Sequence, residues 1–397
     1  MVRSARHRSR PDGRFRPLYA GSFVVYGDRF AIPPILFAIA TDFEVSLAAA
    51  TAVASSYFLF YGAMQFGYGV LSDRLGRVRV MRVALLGMGV ANLGAAAAPT
   101  LSTLVIAKSI AAGCAAAVLP TSLVYVGDKV PFELRQQVIA SLLAAGGVGT
   151  VLASVGAGLL AGAGAWRVVF VIPAVIALVV AATLGRLPES LSGEPGGGPV
   201  VQLRRVLSQP WAVFLVALAV VEGAAMLGFL TFLAPALEAH GVSAGVAGLV
   251  VATYGVSVAG GMQLLKRSLR RTALTPAGLI TLGGALLVVG YLTAAQDQAV
   301  GNILVASVLV GLAFCFLHST LQTWATEVAP EARGTATSLF VTGVFSGAAL
   351  GTAAVSGLAD AQQYGTLFLV AAAVALPVTV VGSLARARYA TSTRAPV

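Results

Sequence analysis

Apolar runs of about twenty residues or more alternate with short polar breaks along nearly the whole chain. Reading the runs between charged, Pro and Gly breaks predicts helical spans at 17–41, 47–71, 80–98, 101–127, 136–163, 165–186, 210–236, 244–265, 273–294, 299–326, 334–358 and 364–385. A helix rises 1.5 Å per residue, so about twenty residues cross a hydrocarbon core about 30 Å thick. The longest polar interval, "GRLPESLSGEPGGGPVVQLRRVLSQ" at 185–209, falls after the sixth span and reads as a flexible connection. It divides the chain into a basic tail (1–16), a six-helix bundle (17–186), a linker (187–209), a second six-helix bundle (210–385) and a tail (386–397). The halves echo each other. "VYVGDKVPFELRQQVIASL" (124–142) and "TWATEVAPEARGTATSL" (323–339) each place an acid three residues before a Pro, then an acid and an Arg, then a new apolar helix. Such a repeat predicts parallel halves with a substrate site between them.

Composition agrees: 58% of the 397 residues are hydrophobic and only 10% are charged, against about a quarter in soluble domains. The net charge of +11 invites a polynucleotide reading, but its distribution argues otherwise. Alternate loops carry Arg74, Arg77, Arg79 and Arg82, then Lys129 and Arg135, Arg186, Arg204 and Arg205, Lys266, Arg267, Arg270 and Arg271, Arg333, and finally Arg386, Arg388 and Arg394. The opposite loops carry Asp42, Glu44, Glu238, Asp297 and Asp360, with Arg167 the lone base. Cytoplasmic loops are enriched in Lys and Arg, so both termini are expected inside a plasma membrane, with a lipid bilayer and no nucleic acid as partner. The start "MVRSARHRSRPDGRFRP" lacks a small-residue cleavage site and reads as a cytoplasmic tail. Cys114 and Cys315 lie in apolar runs and build no disulfide framework.

The connection between the second and third spans reads "GYGVLSDRLGRVRVMR" (67–82). It resembles the signature of the major facilitator superfamily, matched by Gly69, Leu71, Asp73, Arg74, Gly76 and Arg77. The resemblance implies an all-α membrane protein of twelve helices in two pseudo-symmetric bundles, and gating by Gly69, Asp73, Arg74, Gly76 and Arg77, with Asp73 latching the halves on the cytoplasmic side. Physically, a tight turn between antiparallel helices uses glycine, and a carboxylate can bond the free N–H groups of a helix N-terminus. The second-half counterpart "GGMQLLKRSLRRT" has no Asp. Lys108 stands where drug exporters of this family carry an intramembrane Arg, whereas Ala153-Ser154 stand where their proton antiporters carry Gly-Pro.

Five titratable residues lie deep inside spans: Asp28 and Arg29 in the first, Lys108 in the fourth, Glu222 in the seventh and His318 in the tenth. In the resembled fold these four helices line the central cavity. Neighbours on a helix diverge by about 100°, so Asp28 and Arg29 need partners elsewhere. An ionised group at mid-membrane costs about 2.5–3.5 kcal/mol, which predicts that these charges face a watered cavity and compensate one another. Asp28, Glu222 and His318 are the candidate proton carriers, since loss of a nearby cation favours a protonated carboxyl. For His318, Ser319, Gln322 and Thr323 are candidate hydrogen-bond partners. Candidate substrate contacts are Tyr26, Arg29, Phe30, Lys108, Glu222, Met226, Phe229 and Trp324, and Pro33-Pro34, Pro120 and Pro235 are expected kink sites. "GVFSGAALG" (343–351) is expected to be a helix-packing face.

These readings predict a secondary transporter, without a Walker pattern, that exports a small amphiphilic organic compound against protons by alternating access. Proton-coupled uptake of an organic anion is the alternative, and a non-transporting receptor or lipid-handling protein is the reading from another class. A monomer without cofactor or structural metal is expected, and no nucleophile–base pattern points to an enzyme.

Overall fold

The computed structural model describes residues 13–190, 198–271 and 274–392. Most of the N-terminal tail, linker residues 191–197 and the last residues with Arg394 lie outside the described residues. Apolar sequence of the predicted length becomes helix throughout: α2 (Leu47–Leu75), α3 (Arg77–Ala96), α4 (Leu101–Lys129), α5 (Phe132–Gly162), α7 (Pro210–Ala239), α8 (Ala244–Arg267), α9 (Pro276–Gln296), α10 (Val300–Glu327), α11 (Pro330–Asp360) and α12 (Tyr364–Thr391). The first span, α1, is a bent pair, Gly13–Phe30 and Pro33–Asp42, and α6 is the shorter Val168–Leu184. Val83, Val90, Ile106, Leu159 and Leu350 are among the large apolar side chains left on outward faces, as expected of a surface in contact with acyl chains.

The packing repeats. In the first half α1 packs on α5, α3 on α6, α3 on α4 and α2 on α4; in the second, α7 packs on α11, α9 on α12, α9 on α10 and α8 on α10. Adding six to each helix of the first set generates the second. Between the sets the main contacts are α2 with α11 and α5 with α8. The 343–351 glycines do form a packing face: Gly343, Gly347 and Gly351 lie against the backbone of α7 at Val216, Val220 and Ala224, an approach no larger side chain would allow.

The halves are held together from mid-span towards the end that carries Asp42, Glu238 and Asp360, called here the acidic end. The Ala48 N–H donates to Asp360 Oδ1 at 3.4 Å, Ser154 Oγ to the Gly248 carbonyl at 3.0 Å, and Thr342 Oγ1 to the Gly62 carbonyl at 2.9 Å. At the opposite, basic end, Gly69 of α2 and Gly334 of α11 have open space beside them.

α1, α4, α7 and α10 are each interrupted near the middle. In α1 the turn Pro33–Ile35 bends the span by 44°. α4 breaks at 116–117, one turn before Pro120, where the ring would meet the Ala116 carbonyl. α7 widens into a π turn at Ala224–Gly228 and tightens at Phe229–Phe232, before Pro235. α10 has a π turn at Phe314–His318 without any proline. There the Ser319 hydroxyl bonds the Cys315 carbonyl, and Thr320 Oγ1 donates to the Phe316 carbonyl at 2.6 Å, occupying acceptors that a widened turn frees.

Candidate functional site

The five intramembrane titratable residues separate into three groups. Asp28 Oδ1 accepts from Lys108 Nζ at 2.6 Å, and the same ammonium donates to Asn92 Oδ1 at 2.9 Å. The ammonium sits over the rings of Tyr57 (5.2 Å) and Phe170 (4.8 Å), and the Asp28 and Lys108 side chains are 0% exposed. Every one of these groups comes from the first half. In the second half, His318 Nδ1 lies 2.8 Å from Glu222 Oε1, and the imidazole stacks on Phe314 at 4.5 Å. Ser319 and Thr323, expected partners of His318, instead bond backbone carbonyls. Each acid therefore finds its basic partner within its own half, not across a shared vestibule. Two bulky bundles leave little room between them for a four-way network, and each acid finds a base one helix away.

Arg29 is the exception. The residue is 9% exposed, and its guanidinium has no ion pair among the described residues. Four rings surround it, Tyr26, Phe30, Tyr61 and Phe345, at 4.9–5.4 Å. Cation–π attraction compensates only part of the lost hydration, about 0.5–2 kcal/mol per ring. The guanidinium lines a cavity of about 20 Å³ between the halves, room for one water, together with Phe30, Pro33, Phe58, Leu227, Leu230, Thr231 and Val251. Phe30 stacks across the divide on Tyr254 of α8 at 5.4 Å. Phe58, Tyr61, Phe345, Leu227, Leu230, Thr231 and Val251 were not singled out from sequence; their types are those of any span, and only Tyr61 and Thr231 carry a polar group.

Other expected substrate contacts lie elsewhere. Trp324 packs at the basic end with Trp211, Phe214, Tyr389 and Arg386, the last paired with Glu327 at 2.8 Å. Phe229 faces the interior of the second half, edge-on to Tyr291 at 6.3 Å, and Met226 is buried in the α7 π turn.

A sequence profile describing the Major Facilitator Superfamily matches residues 18–352. The chain belongs to this superfamily. Among solved structures it is similar to a bacterial homologue of the human lysosomal transporter Spinster in an inward-facing, unoccupied conformation, with TM-score 0.75, 18% identity, and 97% of this chain and 98% of that one covered. It is similar to the nucleoside transporter NupG, with TM-score 0.76, 15% identity and 94% and 99% coverage. It is also similar to a D-xylose–proton symporter, with TM-score 0.74, 18% identity and 94% and 96% coverage. No curated protein sequence matches the chain.

In this major facilitator chain the signature turn joins α2 to α3. Gly76 has φ +97°, a region that glycine enters without strain, and a Cβ there would collide with the Glu189 carboxylate. Glu189, not Asp73, satisfies the start of α3: its Oε1 accepts from the Val78 N–H at 2.8 Å and its Oε2 from the Arg79 N–H at 3.0 Å. Asp73 pairs with Arg77, whose guanidinium also bonds Ser72 Oγ at 2.8 Å and lies 3.5 Å from Asp128. Ser190 completes the cluster, donating from Oγ to Asp128 Oδ2 at 2.8 Å. The first linker residues are thus docked on the turn. Arg74 is exposed, as is Asp73.

Proposed function

We propose that this chain is a secondary active transporter of the plasma membrane, with both termini cytoplasmic, that moves a small amphiphilic organic compound bearing an acidic group by alternating access coupled to protons. The observation that carries the reading is Arg29: a guanidinium without an ion pair on the wall of a cavity between the halves that is apolar but for Thr231. A buried cation without a counterion favours a ligand that brings one, and a guanidinium suits a carboxylate or phosphate. The surrounding rings and aliphatic side chains suit an apolar body.

Export is the direction we infer, from the resemblance to twelve-span drug:proton antiporters. Co-transport of an organic anion inward with protons is the second reading, and Arg29 favours it. Buried acid–base pairs on the interrupted helices support proton coupling in both. Asp73, exposed and tied to its own half through Arg77, is available to meet the second half when the basic end closes, which supports the gating role of the turn.

A thermal-shift panel of amphiphilic carboxylates and phosphates, neutral sugars and lipophilic cations tests the ligand class. Acidic amphiphiles are expected to stabilise the wild type, and Arg29→Gln to weaken them by roughly 1.5–3 kcal/mol, about ten- to a hundredfold in Kd. Stabilisation by cations alone, untouched by Arg29→Gln, would overturn it. Flux in oriented vesicles under an imposed pH gradient then decides direction.

A further inference from the structure

Building on the proton-coupled reading, we propose that the coupling proton is carried by the Glu222–His318 pair, and that Asp28–Lys108 is a permanent fastener of the first half. Both pairs are short and buried, and each acid keeps one oxygen without a hydrogen bond, Asp28 Oδ2 and Glu222 Oε2, so an open oxygen does not distinguish them. What differs is the base. Protonating Asp28 would leave an ammonium held by one amide oxygen and two ring faces and enclosed by protein on all sides. With His318 as a neutral imidazole beside the Glu222 carboxylate, uptake of one proton turns a single negative charge into an uncharged pair, so no cation is stranded.

Access differs too. Glu222 is as enclosed as Asp28, but its partner His318 has a side chain 11% exposed, whereas Lys108 is fully enclosed, so only the Glu222 pair has a member that reaches the surface. A hydronium ion can therefore give its proton to the pair and leave as water, and the reverse step returns the proton to water when the opposite face opens.

Position supplies the link to movement. Glu222 sits two residues before the π turn of α7, and His318 closes the π turn of α10. A change in the charge of the pair thus acts where both helices are already irregular. The groups facing the pair from other elements are few. α8 brings the Tyr254 hydroxyl, within electrostatic range of Glu222, Arg29, Tyr26 and Cys315; α9 brings Tyr291, whose hydroxyl is committed to the Ala225 carbonyl at 2.5 Å. α11 brings Phe340, which carries no titratable group.

The test is pH-difference infrared spectroscopy of the full chain in lipid nanodiscs, which needs no substrate. Glu238 is another acid with an oxygen lacking a hydrogen bond, so the measurements use an E238Q background. The carbonyl stretch of a protonated carboxyl should appear on acidification, vanish in E222Q, persist in the D28N/K108M double variant, and shift its midpoint in H318Q by about tenfold in proton concentration. Should E222Q not fold, the H318Q shift carries the same decision. A band that survives in E222Q and disappears in D28N/K108M, or that H318Q leaves in place, overturns the assignment while sparing proton coupling. A spectrum in which no carboxyl protonates above the range of the exposed acids, about pH 4, sinks the proton-coupled reading itself.

Discussion

Asp28 and Arg29 share a helical turn and have opposite fates. The 100° between them sends the carboxylate into the first bundle, where Lys108 and Asn92 meet it, and the guanidinium to the divide between bundles. Helix geometry alone ruled out their mutual pairing and left Lys108 among the partners for Asp28. Asn92 gave no such signal, because a neutral amide in a span looks like any helix-contact residue. Removing one member of a buried pair costs about 3–5 kcal/mol, since the other charge is stranded, whereas removing both is often close to neutral. Asp28→Asn or Lys108→Met should each lower stability by about that amount, and the double substitution should restore most of it. Denaturant unfolding of the purified variants checks this, and a loss in the double equal to the sum of the two single losses would show that no such coupling exists.

Interruption of α1, α4, α7 and α10 belongs to the elements. Three of the four breaks were legible as prolines, because a missing N–H and a ring clash act locally. The α10 π turn was not, since nothing in "FCFLHST" forbids a regular helix and the hydroxyl bonds that accompany it appear only in the folded backbone. The α2–α3 turn mixes both cases. Its glycine was predicted from the signature, but the carboxylate expected to bond a helix terminus was Asp73, and Glu189 takes that place from a residue more than a hundred positions away. Glu189→Gln should lower stability by about 0.5–2 kcal/mol through the weakened α3 terminus. Gly76→Ala should cost more, about 1–3 kcal/mol, because left-handed backbone strain is added to the collision with Glu189. Thermal unfolding midpoints measure both, and an unshifted Gly76→Ala midpoint would remove the strain argument.

At the scale of the whole molecule, the two bundles are joined at mid-span and the acidic end, where α5 and α8 touch backbone to backbone at Gly158, Ala244 and Gly248. Gly248→Val should push this seam apart and favour closure at the basic end. Spin labels on cysteines at Thr41 and Gln363 would then report a longer separation than in the parent, and an unchanged distance would show that the seam does not govern the state. The helical spans, the repeat and the superfamily were readable in the chain, because burial in lipid imposes length and apolarity residue by residue. The sequence also named which helices hold the buried charges. Only the tertiary structure decided which charge meets which: pairing over a few ångströms depends on helix rotation and crossing, which are set by packing across the whole bundle. That choice closed Asp28 and Glu222 inside their own halves and left Arg29 alone at the divide.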